Sequence, residues 1–215
     1  MATIFALPPG VGLITGGAGN DTFIGGQGVT IDGGAGIDTV IYSANHASYL
    51  VTPTATGYST AGFGHTETLI NIERLHFSDT TLALDMNASQ SGGEAALLIG
   101  AVLGNSSLQN RSLVGQLLQF FDAGKTLHDA ATVLVNAGIM DQLAGGSSTS
   151  AYVNLIYHAV TGLTATPDMN SQLAAYIDTG VLTRIDFLTV AAELPLNQSN
   201  VNLIGLQQTG LESLP

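Results

Sequence analysis

The stretch from residue 16 to residue 41 most constrains what this chain can fold into, because it writes one short unit three times. Gly16-Gly17-Ala18-Gly19-Asn20-Asp21-Thr22-Phe23-Ile24 is followed by Gly25-Gly26-Gln27-Gly28-Val29-Thr30-Ile31, and then by Gly33-Gly34-Ala35-Gly36-Ile37-Asp38-Thr39-Val40-Ile41. Glycines supply tight turns with positive φ, and the apolar, β-branched runs after them are long enough only for short strands. The spacing predicts a right-handed coil of alternating turns and strands in which every second turn lies on the same side. First and third turns then stack. The outer copies carry Asp21 and Asp38 six residues into the unit, whereas the middle copy has Thr30 there and is one residue shorter.

A stack of Gly-rich turns presents carbonyl oxygens, and Asp21 with Asp38 would complete an all-oxygen cage bearing two negative charges. Hard oxygen donors in a flexible cage of high coordination number suit Ca²⁺ rather than Zn²⁺ or Cu²⁺. The rest of the N-terminal part offers no competing cation: Asp21, Asp32, Asp38, Glu67 and Glu73 all precede the first basic residue, Arg74. Over the whole chain 16 Asp and Glu face 4 Lys and Arg, a formal net charge of -12. That balance excludes nucleic acid and anionic lipid as partners, since nothing neutralises their phosphates. There is no Cys, so disulfides and thiolate metal sites are excluded as well. Residues 1–9 lack Lys and Arg and do not read as a secretory signal peptide, and no apolar run approaches a membrane span.

The repeated units resemble the Gly-Gly-x-Gly-x-Asp nonapeptides of RTX proteins, the haemolysin-type calcium-binding family of secreted bacterial proteins. The resemblance continues through Glu67-Thr68-Leu69-Ile70-Asn71-Ile72-Glu73-Arg74-Leu75-His76-Phe77-Ser78-Asp79, similar to the segment that follows such repeats, and so covers about residues 16–85. It implies a calcium-binding parallel β-roll, with Ca²⁺ held by carbonyls around Gly17, Gly19, Gly34 and Gly36 and by the carboxylates of Asp21 and Asp38. On the opposite side Thr30 brings no charge, and Asp32 or Glu67 would have to substitute there. Residues 39–42, 48–52, 57–60, 70–77 and 82–84 read as strands that cap the coil.

Composition changes near residue 90 to Ala- and Leu-rich segments with helical spacing. Thr126 with Asp129 and Thr183 with Asp186 are spaced as N-cap and N3 residues, Thr166-Pro167 places Pro at a first helical position, and Gly124 and Gly180 stand where helices stop. About six helices are expected. Ala101-Val102-Leu103-Gly104 aligns with Ala159-Val160-Thr161-Gly162, and Phe121-Asp122-Ala123-Gly124 with Ile177-Asp178-Thr179-Gly180, which implies a duplicated helical unit over about 94–145 and 150–200. This part resembles a helical domain found beside RTX repeats in bacterial surface-layer proteins. The expected architecture is therefore α+β and multidomain: a short parallel β-roll with β cap over 1–90, then an all-α domain over 91–215. The segment after Asn197 is expected to pair with another subunit, to pack on its own domain, or to act in export.

Catalytic signatures are missing. His46, His65, His76, His128 and His158 show no paired helical spacing, and Gly57-Tyr58-Ser59-Thr60-Ala61 lacks the closing Gly of a nucleophile elbow. The Gly-rich region has no Lys for a phosphate loop. The chain therefore reads as non-enzymatic: a calcium-dependent structural protein of the bacterial exterior that self-assembles into a surface layer, filament or biofilm matrix, exported without an N-terminal signal. The alternative is a C-terminal secretion and folding module of a type I-secreted adhesin or hydrolase. A cell-surface polysaccharide is a further partner to consider, although no Trp is present as a sugar platform.

Overall fold

The computed structural model describes residues 12–215 and, before them, the backbone of one two-residue strand, β1 (Ile4–Phe5). The remainder of residues 1–11, including most of the segment read above for an export signal, lies outside the described residues. Two compact units emerge: residues 1–86, 111–115 and 205–215 form one, and residues 87–110 and 116–204 the other.

The first unit is built on short strands that alternate between two sheets. In chain order they are β2 (Leu13–Ala18), β3 (Thr22–Ile24), β4 (Thr30–Ala35), β5 (Thr39–Ile41), β6 (Leu50–Thr54), β7 (Gly57–Gly62), β8 (His65–Ile70), β9 (Arg74–His76) and β10 (Thr81–Ala83). One sheet has the order β2-β4-β8-β7-β6. Pairing along β2, β4 and β8 is parallel, with Gly17 opposite Gly34 and Ile31 opposite Leu69. The other sheet contains β1, β3, β5 and β9 in parallel, with Phe23 opposite Val40 and Val40 opposite Leu75. Residues at alternate positions point inward, so Ile14, Phe23, Ile31, Val40, Leu69 and Leu75 meet in a single core closed by Tyr42, Phe77 and Leu82.

The expected parallel β-roll is not what forms. Both sheets are mixed, because β6, β7 and β8 run antiparallel in one and β9, β10 and a C-terminal strand run antiparallel in the other. The physical cause is the end of the glycine units at Ile41: beyond it the links 55–56, 63–64 and 77–80 are short hairpins, and a two-residue link such as Phe63-Gly64 can join only antiparallel neighbours. A second correction concerns residues 70–77, expected as one strand. Asn71 adopts φ 50°, and this left-handed residue turns the chain from β8 in one sheet to β9 in the other.

The second unit is helical. The helices are α1 (Ser91–Leu103), α2 (Arg111–Asp122), α3 (Leu127–Asn136), α4 (Ile139–Leu143), α5 (Thr149–Thr161), α6 (Pro167–Asp178), α7 (Arg184–Glu193), α8 (Pro195–Asn200) and α9 (Leu203–Thr209). Nine helices, not six, occur among the described residues, and the first turn of α2 and most of α9 belong to the strand-rich unit. Residues Ala95–Val102 of α1 are buried throughout, as expected of a helix with apolar residues on every face. Helix lengths repeat: 13, 12 and 10 residues for α1, α2 and α3, and 13, 12 and 10 for α5, α6 and α7. The corresponding helices α1 and α5 pack together, as do α3 and α7. Thr126 and Thr183 close complete capping boxes with Asp129 and Asp186.

The segment after Asn197 folds back onto the chain. Its strand β11 (Leu211–Ser213) pairs antiparallel with β10, and Thr80 donates its hydroxyl to the Ser213 carbonyl at 2.8 Å. No helix among the described residues is long and apolar enough to cross a membrane.

Candidate functional site

Three corners of three residues stack along one edge of the strand-rich unit. Residues 19–21 link β2 to β3, residues 36–38 link β4 to β5, and residues 71–73 link β8 to β9. Each corner ends in a carboxylate: Asp21, Asp38 and Glu73. The structure joins them as a ladder. Asp38 Oδ1 accepts the Asp21 amide at 2.7 Å, and Glu73 Oε2 accepts the Asp38 amide at 2.8 Å. Asp21 Oδ2 in turn accepts the Gly17 amide at 2.8 Å. Parallel pairing continues through the corner, where the Thr39 amide donates to the Asp21 carbonyl and the Arg74 amide to the Asp38 carbonyl.

Glycine permits this close stacking. Gly36, at φ 144°, lies so near the Gly19 carbonyl that no Cβ would fit, and Gly34 is pressed likewise against the Gly17 carbonyl. At Gly33, an added Cβ would sit 2.5 Å from Asp38 Oδ2 and would run into the Asn71 carbonyl. Of the six residues expected around the cage, Gly17 and Gly34 face each other at the paired ends of β2 and β4, and Gly19, Asp21, Gly36 and Asp38 lie in the two adjoining corners. Asp32 and Glu67 are not part of them. Asp32 Oδ1 accepts the Asn71 side-chain amide at 2.8 Å on the surface. Glu67, only 1 % exposed, accepts the Gln27 amide at 2.8 Å, the Tyr42 hydroxyl at 2.7 Å and the Thr60 hydroxyl at 3.3 Å. That carboxylate pins the Gly-rich middle turn on the opposite side to the core.

The ladder is electrostatically loaded. Asp38 is 0 % exposed, and its Oδ2 has no hydrogen-bond partner among the described residues. Burial holds its carboxyl above the usual range, opposed by the Asp21 amide and reinforced by the charges of Asp21 and Asp32. Glu73 is pushed up to about 7, chiefly by burial, against the Asp38 amide, with Asp38 and Asp85 adding repulsion and Arg74 relieving it. Arg74 is buried and forms an ion pair with Asp85 while its guanidinium also caps the Glu73 carbonyl.

Sequence reasoning did not assign Glu73 and Asn71 to this stack. The third corner has no glycines and leaves β8 at Ile70, opposite Asp32, so it lacks the Gly33-Gly34-Ala35 extension of the corner before it. Aligning carboxylates instead of glycines exposes it: Ile37-Asp38-Thr39-Val40 against Ile72-Glu73-Arg74-Leu75.

The donors fit a hard cation in kind: they are all oxygen, they include carbonyls of neighbouring turns, and one buried carboxylate oxygen has no hydrogen-bond partner among the described residues. They do not form a preassembled cluster, since no group of three or more His, Cys, Asp or Glu residues suited to a metal ion occurs among the described residues. No family model matches the chain, and no curated protein and no solved structure matches it.

Proposed function

We propose that this protein is a calcium-dependent structural protein of the bacterial exterior that self-assembles into a surface layer, filament or matrix. The observation that carries the reading is the stacked ladder of Asp21, Asp38 and Glu73, in which Asp38 Oδ2 is buried without a hydrogen-bond partner among the described residues. Three carboxylates one above another repel each other at neutral pH, and a divalent ion among their oxygens would convert that repulsion into cohesion. The likeness of the glycine turns to RTX nonapeptides supports the choice of Ca²⁺, and an exterior location follows from it because extracellular calcium modules work at affinities of about 10⁻⁴ to 10⁻³ M. Weakly charged helices, with Leu163, Tyr176, Val181, Val190 and Leu196 exposed, support self-association.

The test is a calcium titration from chelator to about 10 mM, bracketing that affinity range, followed by circular dichroism, thermal unfolding and light scattering. Stabilisation of the strand-rich unit together with growth of particle size supports the reading. An unchanged midpoint and an unchanged monomer across the range would overturn it.

A further inference from the structure

Two features far apart in sequence complement each other. The first is the link between β7 and β8. Phe63 and Gly64 have φ 51° and 81°, a two-residue hairpin turn with both central residues left-handed. Asn-Gly suits such a turn, whereas a bulky Phe at its first position is strained. Phe63 is nevertheless 69 % exposed, with one edge contact to Tyr49 at 5.5 Å between ring centroids. A strained aromatic held out at a hairpin tip contributes little to its own core. Strain that persists without a local return points to a role elsewhere.

The second feature is a cavity in the helical unit, about 200 Å³, lined by Ile156, Val160, Met169, Leu173, Phe187 and Leu196 among others. No charged side chain lines it. It is smaller than the roughly 300–1,000 Å³ of pockets that hold whole small molecules, and it lacks the oriented polar groups such pockets use. Its dimensions and lining suit one apolar ring. Met169 and Leu173 also line a second, more open hollow along α6 with Gln172, Tyr176 and Val181.

We infer that the Phe63 hairpin tip of one copy inserts into the α5–α6–α7 cavity of a second copy. This rests on the self-assembly reading and names its interface. Charge favours the pairing: in a chain of net charge -12, residues 61–66, Ala-Gly-Phe-Gly-His-Thr, carry no carboxylate, and neither do the residues lining the cavity. Knob and cavity are built from different residues, so the contact is heterologous. Each copy offers one of each, and addition proceeds head to tail into a ring or an open filament.

Phe63→Asn is the decisive variant, because Asn is better suited than Phe to the left-handed position and the hairpin is kept. Its partner is the double variant Met169→Glu, Leu196→Glu, which charges the cavity rim at positions 41 % and 54 % exposed. In sedimentation velocity with calcium, the parent should form particles larger than a dimer. Each variant should require roughly 10- to 100-fold higher concentration to associate, the cost of leaving one phenyl unburied. The thermal midpoint of Phe63→Asn should stay level or rise. Mixing the two variants should give 1:1 pairs and no longer species, since only one intact knob and one intact cavity remain. If the parent assembles and Phe63→Asn assembles at the same concentration, the interface is wrong while the assembly reading stands. A parent that remains monomeric overturns both.

Discussion

The amide of Asp21 donates to Oδ1 of Asp38 at 2.7 Å, across 17 residues of sequence, and leaves Oδ2 of the same carboxyl buried with no hydrogen-bond partner among the described residues. One oxygen of Asp38 therefore serves the fold, and the other is the one that the proposed calcium site would use.

Asp38→Asn separates those two duties. Its Oδ1 still accepts the Asp21 amide, and the buried charge is removed, so the calcium-free protein should be as stable as the parent or more so. Its response to calcium should vanish. At a calcium concentration 100 times its Kd the parent should gain about 2.7 kcal/mol, and thermal unfolding with and without chelator measures the difference. An Asp38→Asn protein stabilised by calcium as strongly as the parent would remove Asp38 from the site.

The ladder also dictates a pH dependence. Glu73 has a folded-state value of about 7 against an ordinary value of 4.5, so the folded state holds the proton more tightly. The stability this contributes is fully present below about 4.5 and is lost as pH rises through about 7. Asp38, raised from 3.8, acts in the same direction. In chelator, urea midpoints should accordingly fall between about pH 4.5 and about pH 8, and Glu73→Gln should flatten the curve. The capping carboxylates Asp129 and Asp186 are lowered by their Thr partners and act oppositely, losing their contribution as pH drops below their usual range. A parent midpoint that rises over the same interval would show that the ladder does not govern it.

Gly33 and Gly17 make a paired test of stacking. At Gly33 a Cβ meets Asp38 and the Asn71 carbonyl, whereas at Gly17 it meets nothing within 4 Å. Gly33→Ala should cost roughly 1–3 kcal/mol, as forced overpacking does. Gly17→Ala should change stability by no more than about 0.5 kcal/mol. Equal losses in denaturant unfolding would mean that the corners are not stacked as described.

The two capping boxes predict matched effects. Thr126→Ala and Thr183→Ala each remove the hydroxyl that accepts an N3 amide, at 3.2 Å from Asp129 and 3.1 Å from Asp186. Each should cost about 1 kcal/mol, measurable by helical circular dichroism during urea unfolding. A loss at one site and none at the other would argue against equivalent helix starts.

Much of the second unit was legible because helix punctuation is local. Thr126, Thr166, Thr183, Gly124 and Gly180 specify their ends through neighbours three residues away, and the structure uses each of them. Repeated glycine units likewise announced which turns adjoin, down to Gly17 opposite Gly34. What could not be read was pairing over long separations. The antiparallel half of each sheet depends on hairpins whose direction is set by link length, and the third rung depends on Asn71 taking a left-handed φ of 50° where the earlier corners begin with Gly19 at 112° and Gly36 at 144°. Glu67, weighed as a ligand, was claimed instead by Tyr42, Thr60 and Gln27, partners between 7 and 40 residues away. No spacing rule brings those four together.

The pairing of β11 with β10 has a consequence for biosynthesis. Thr80 and the Ser213 carbonyl it bonds are separated by 133 positions, most of them in helices. A ribosome must therefore emit the entire helical stretch before the outer strand of the six-stranded sheet can be supplied. Until then Thr81, Leu82 and Ala83 form an open edge, available to any passing strand. Closure of that border therefore waits on synthesis of the helical stretch, and a nascent chain is most vulnerable to clumping in the interval before it.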